Sequence, residues 1–140
     1  MSHAQEPQGE TSQDLLQLMP FARALGLEVD AAGADEVRGR FAWSPERCTA
    51  GGVLHGGALM AAADSLGAIC AFMNLPSGAQ TATISSTTLF MRAVRGGEVS
   101  ATTRPLHVGR TVIAVQTDLR DDDGRLVAQV TQTQAVLGGT

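Results

Sequence analysis

The sequence predicts an α+β fold in which one long helix is cradled in a curved antiparallel sheet. Three observations predict it. The run "LHGGALMAAADSLGAICAFM", Leu54–Met73, is apolar on every helical face, so a helix there has to be enclosed. After Gly78 the apolar period changes to two and continues through four strand candidates. Before the run, "LEVDA" and "EVRGRFAW" alternate apolar and polar residues around a turn. One sheet covers only one side of such a helix; a curved sheet and a partner subunit cover the rest.

The 140 residues suit a single domain, with a core that needs no metal or disulfide staple. Residues 1–12 read as a flexible arm and 13–140 as the domain. A short helix is expected over "SQDLLQLMPFARALG", capped by Ser12 and stopped by Gly26. Leu15, Leu18, Phe21 and Leu25 keep helical spacing, and Pro20 is placed to split the helix. The hairpin follows, turning at Gly33–Asp35, then a loop rich in Pro and Gly over 45–54. The long helix is expected over 55–74, ended by Pro76, Ser77 and Gly78. The four strands are "AQTATISSTTLFMRAV", "GEVSATTRPLHVG", "RTVIAVQTDLRD" and "RLVAQVTQTQAVL", rich in Val, Ile and Thr. Gly96-Gly97, Gly109-Arg110 and Asp122-Asp123-Gly124 supply turns between consecutive antiparallel neighbours.

Composition excludes several classes of function. A chain 44% hydrophobic and 17% charged is folded rather than disordered. Its net charge of −4 and lack of a basic stripe argue against nucleic acid as a partner. All ten basic residues are arginine, which genome composition explains as readily as a need for forked phosphate donors. Cys48 and Cys70 form no CxxC pattern, so no metal site is expected; Cys70 reads as a small core residue. The opening "MSHAQEPQGETSQD" lacks the basic-then-apolar order of a signal peptide, so a cytoplasmic location is expected. The long apolar run approaches bilayer length, but His55, Asp64 and three glycines lie within it and no basic flank anchors it. No membrane role is expected.

The chemistry concentrates in that run. An unpaired carboxylate such as Asp64 in an apolar interior costs several kcal/mol or stays neutral. Two readings are open: a structural pair with a nearby arginine or hydroxyl, or a functional group. Gly56 and Gly57 open the helix, where the first amides have no internal partner and carry the positive end of the dipole. Such amides suit an anion or a carbonyl oxygen becoming one; close packing against a strand is the other reading. Gly56 and Asp64 are eight residues apart, so about 12 Å along one helix. Reacting atoms must lie about 3 Å apart. If both residues serve one reaction, they come from different subunits. The functional reading therefore requires an obligate dimer of antiparallel helices.

"GGVLHGGALMAAADSLGA" closely resembles the corresponding segment of hotdog-fold acyl-CoA thioesterases of the phenylacetate-degradation and 4-hydroxybenzoyl-CoA thioesterase type. These carry HGG at the start of the central helix and an acid eight residues after its first glycine. The resemblance extends through "SSTTLFMRAVRGGEVSA" and "VGRTVIAVQTDLRDDDGRLVAQVTQTQAVL", covering about residues 25–137. It implies that the Gly56 N–H polarises the thioester carbonyl, and that Asp64 is the catalytic carboxylate, as nucleophile or as base for water. It places His55 beside the thioester. Where the family often has Asn or Gln, six residues before that histidine, this chain has Thr49, a shorter candidate for holding water. Thr83 matches a serine that some members place on the strand after the helix, and could orient the water. Ala68 stands where others have a hydroxyl one turn after the acid. Coenzyme A phosphates require local cations, for which Arg92 and Arg110 are candidates, with Gly57 at the same helix start. His3 and His107 receive no role.

The expected activity is hydrolysis of an aryl- or short-to-medium acyl-CoA to free acid and coenzyme A. No cofactor is implied, because coenzyme A is part of the substrate. The partner is a second copy, and the family pairs such dimers into homotetramers. Two alternatives stay in view. An acyl thioester dehydratase or hydratase needs a histidine paired with the acid, and His55 lies nine residues before Asp64. A non-catalytic acyl-CoA-binding protein of the same fold would bind without turnover.

Overall fold

The computed structural model describes residues 15–139; the expected arm and the Ser12 cap lie outside them. Residues 15–17 are helical, the backbone leaves helical geometry at Met19, and α1 (Pro20–Ala24) resumes with Pro20 in its first turn. Proline fits there because its missing N–H would have no intrahelical acceptor. The break changes the helical phase. Leu16, Ala22 and Leu25 are buried, while Leu18 and Phe21, expected on the buried stripe, are 77% and 71% exposed. Gly26, at φ +82°, ends the segment.

The hairpin is β1 (Glu28–Ala32) and β2 (Val37–Ala42). Two short 3₁₀ turns, Pro45–Arg47 and Ala50–Gly52, lead into α2 (Gly56–Phe72). The remaining strands are β3 (Ala79–Phe90), β4 (Glu98–Val108), β5 (Val112–Arg120) and β6 (Leu126–Gly138). The six strands form one antiparallel sheet in the order β1-β2-β4-β5-β6-β3. This corrects the expectation of four successive neighbours. β3 does not turn into β4 at Gly96-Gly97; it lies at the far edge beside β6, and residues 91–97 cross to bring β4 against β2. The departure has a physical source: local periodicity identifies strands, whereas their order is set by which edge can cover the helix.

α2 packs on β2 through β6. Inward positions alternate along β2, β4 and β5, as period-two strands with one covered face require. Asn74 fastens the helix end, its side-chain amide donating to Cys70 O and to Ala34 O in the β1–β2 turn (2.9 Å each). Burial pushes the Cys70 thiol up to about 11, the state of an inert core residue. β3 differs from the other strands. It is an edge with no buried residue on either face, and Ile84, Leu89 and Phe90 are among its exposed side chains.

A buried hydroxyl pair joins β4 to β5, with Thr103 Oγ1 and Thr117 Oγ1 2.6 Å apart. Thr103→Val leaves the Thr117 hydroxyl without this partner and should destabilise by about 1–3 kcal/mol, whereas the double change to Val should cost much less. Chemical denaturation of the two variants checks this non-additivity.

Candidate active site

The start of α2 is anchored from outside the helix. Leu54 N–H donates to Val94 O and His55 N–H to Arg47 O, both at 2.8 Å. His55 is the N-cap, and its Nδ1 accepts the Gly57 N–H at 2.7 Å. That bond places the imidazole proton on Nε2. Ala58 N–H donates to His55 O. Among the first three amides, Gly56 N–H is therefore the one for which no described residue is an acceptor, and it carries the positive end of a 17-residue helix. Gly57, expected to help bind substrate, has its amide committed to His55.

Gly56 opens into a cleft of about 400 Å³ whose lining includes Thr49, Leu54, Leu59, Phe90 and Arg92. The Thr49 side chain makes no capping bond to the turn that it precedes. Arg92 shares this cleft. Arg110 does not: it sits at the β4–β5 turn, near where Thr111 O meets Val136 and β6 meets the start of β3. Arg92 follows the other end of β3, so roughly nine residues of strand, about 30 Å, separate the two arginines.

Asp64 corrects a premise of the sequence reading: it is not buried within the chain. It lies on the one stripe of α2 that the sheet leaves uncovered, with exposed Gly57, Met60 and Phe72 at helical spacing. Its Oδ1 accepts two hydrogen bonds, from Gln132 Nε2 at 2.7 Å and from Thr83 Oγ1 at 3.0 Å. No described residue donates to Oδ2. Thr83 in turn accepts from Gln134 Nε2 at 2.9 Å. The Thr83 proton thus goes to the carboxylate, so the hydroxyl orients Asp64 itself.

The fold brings together Asp64 and Thr83, and separately Gly56, His55, Thr49 and Arg92. The two groups do not meet within one chain. Sequence reasoning did not single out Gln132, Gln134, Gly67 or Phe90. A signal for the glutamines exists in "VTQTQ": the inward row of β6 reads Ala128, Val130, Gln132, Gln134, so two amides occupy positions where a core strand would carry Val or Leu. Gly67 accommodates Gln132, since a Cβ there would collide with Gln132 Oε1. Among the described residues no cluster of His, Cys, Asp and Glu could hold a metal ion, and no helix is long and apolar enough to cross a membrane.

A long helix with an open amide at its start and an oriented acid on its free face, wrapped by a curved antiparallel sheet, is the hotdog fold of thioester hydrolases. The family model described as Thioesterase superfamily matches residues 51–128, and the chain belongs to that superfamily. A candidate esterase from Mycobacterium tuberculosis is 31% identical over 127 residues, spanning 89% of this chain and 91% of the relative. Its solved structure superposes with a TM-score of 0.84, covering 87% of this chain and 99% of that one. The crystal structure of a Haemophilus influenzae thioesterase matches with a TM-score of 0.84 at 27% identity over 90% of each chain. The 1,4-dihydroxy-2-naphthoyl-CoA hydrolase of Escherichia coli is 29% identical over 86 residues, 61% of this chain and 63% of the hydrolase.

Proposed function

We propose that the protein is an acyl-CoA thioesterase working as a homodimer with two shared sites, and that such dimers pair into a tetramer. One observation carries this reading: the free Gly56 amide and the free Asp64 Oδ2 lie about 12 Å apart along one helix, too far to serve one carbonyl from the same chain. A second copy supplies the missing half. β3 is a long unpaired edge with exposed apolar side chains, the kind of edge that recruits another strand. Gly56 packs at Phe90, where a Cβ would meet the ring at 3.0 Å, and Asp64 is bonded to Thr83. Antiparallel pairing of β3 with its copy, about an axis between Ser86 and Thr87, sets Thr83 opposite Phe90 of the partner subunit. Asp64 then faces Gly56 of the partner subunit. Arg110 of one chain also moves toward the Arg92 end of the other, so both arginines become available to the coenzyme A phosphates.

In this arrangement the partner's Gly56 N–H binds the thioester oxygen and stabilises the charge that develops on it. Asp64 Oδ2 removes a proton from water, with Thr49 and His55 bordering the site. The new C–O bond forms, the C–S bond breaks, and coenzyme A leaves as the thiolate. The proton on Asp64 returns to it. Coenzyme A enters as part of the substrate, no other cofactor takes part, and the reaction belongs in the cytoplasm.

The acyl group is apolar in this reading. A cleft of about 200 Å³, lined by Leu18, Met19, Ala68, Ile69, Phe72 and Thr81 among others, begins one helical turn beyond Asp64. Thr81 Oγ1 donates to Ala135 O and Gln134 Oε1, so its proton is already engaged. A cavity of about 150 Å³ takes a benzene ring, so this one suits a single aryl ring or a short-to-medium chain. Thiol release should therefore be fastest with phenylacetyl-CoA or hexanoyl-CoA. Dihydroxyaryl-CoA should be lower in kcat/KM by about tenfold, because Thr81 Oγ1 can accept from one hydroxyl while the other described lining side chains are apolar. Binding of all these thioesters without turnover of any would replace this reading with that of an acyl-CoA-binding protein.

A further inference from the structure

We propose that Gln132 and Gln134 are positioning residues for Asp64, forming a buried amide relay that fixes which carboxylate oxygen reacts. The inference rests on the thioesterase reading for its kinetic consequence and on distances alone for its geometry. Both glutamines are at most 1% exposed. Buried amides are found where their polar atoms have partners, and these two lead to one place. Gln134 Nε2 donates to Thr83 Oγ1 at 2.9 Å, and its Oε1 lies 3.3 Å from Thr81 Oγ1, which shares its one proton with Ala135 O at 2.9 Å. Thr83 passes its own proton to Asp64 Oδ1. Gln132 reaches the same oxygen directly, at 2.7 Å.

Gln132 gives the stronger argument. Its bond to Asp64 is the one side-chain hydrogen bond that it makes among the described residues, and its buried Oε1 has no partner. The helix carries glycine at 67, where any Cβ would collide with that Oε1. A residue selected for packing alone would be Val, Leu or Met at 132. Instead the core retains an incompletely satisfied amide whose other end holds the carboxylate. Two donors on Oδ1 stop rotation about the Cβ–Cγ bond and leave Oδ2 on the exposed stripe as the oxygen without a donor. Preorganisation of this kind acts on kcat, because the reacting atom must be held to within a fraction of an ångström.

The test is Gln132→Met, which keeps length and volume and removes the donor. The expected result is a melting temperature equal to or above wild type, since an unpartnered buried oxygen is removed, together with a fall in kcat of about tenfold or more at unchanged KM. In an Asp64→Asn background the same change should have no further kinetic effect. Gln134→Met, acting through Thr83, should show the smaller loss. Independently of activity, the Gln132 side-chain amide signals in a ¹H–¹⁵N spectrum should be exchange-protected and should move when Asp64→Asn is introduced. Wild-type kcat in Gln132→Met would overturn the relay, as would a kcat loss that tracks a lowered melting temperature and persists in the Asp64→Asn background. Unprotected amide signals indifferent to Asp64→Asn would overturn its geometry. A wild-type protein that releases no thiol from any acyl-CoA would instead overturn the thioesterase reading, and the spectroscopic arm would still decide the contact.

Discussion

Asp64→Asn is expected to lower kcat for thioester hydrolysis by about 10²–10⁴-fold, the usual contribution of a positioned general base. It should do so without unfolding the protein. The asparagine carbonyl oxygen can take the place of Oδ1 and accept from Gln132 and Thr83 as the carboxylate does. The group lost is Oδ2, replaced by an amide nitrogen that can neither accept a proton nor attack a carbonyl. The substitution is thus nearly isosteric, and it touches the one oxygen that no described residue donates to. Because Asp64 is exposed in the single chain and would be covered only by a second subunit, removing its charge should leave the melting temperature unchanged or raise it. Thiol release under saturating substrate and a thermal scan of the same preparation give the two readouts. Activity within a few-fold of wild type would remove Asp64 from the chemistry.

That prediction was partly legible in the sequence. The acid eight residues after Gly56 pointed to the site, and the apolar run pointed to a helix enclosed by something. The run did not reveal which face stays open. Its apolar residues surround the helix almost evenly, so periodicity carries no directional information. Only the packed sheet singles out the stripe of Met60, Asp64 and Phe72. The strands were legible for the same reason that their order was not. The β-branched content of "AQTATISSTTLF" and the alternation of "EVSATTRPLHV" are local, whereas the placement of β3 beside β6 depends on pairing between residues 79–90 and 128–138. The relay escaped notice because "TQTQ" resembles a solvated strand until its register is known. A shift by one residue would turn both glutamines outward.

The second large effect concerns Gly56. Replacing it by proline deletes the proposed oxyanion donor and sets the ring Cδ where that N–H pointed. Proline is favoured at the first position of a helix, where its missing N–H has no intrahelical role. His55, at φ −63° and ψ 133°, already has the extended backbone that the residue before proline requires. The added ring meets Phe90, whose nearest atoms lie 3.0 and 3.1 Å from where a Cβ would stand, so the Phe90 ring must shift by a few tenths of an ångström; Gly56→Ala makes the same demand and is the control for it. Gly56→Pro should therefore lower kcat by about 10²–10³-fold, while Gly56→Ala, which keeps the N–H and meets the same ring, should lose far less. The decisive measurement combines the two lesions. If each site takes Asp64 from one chain and Gly56 from the other, a hybrid of Asp64→Asn with Gly56→Pro contains one doubly damaged site and one intact site. In a random one-to-one mixture half of the dimers are hybrids, so activity should recover to about a quarter of wild type from two nearly inactive parents. Sites confined to single chains cannot recover at all, because every chain carries a lesion. Differently tagged subunits, co-expressed and separated by affinity, make the hybrid countable. A purified hybrid as inactive as its parents would place both halves of the site on one chain and undo the shared-site arrangement.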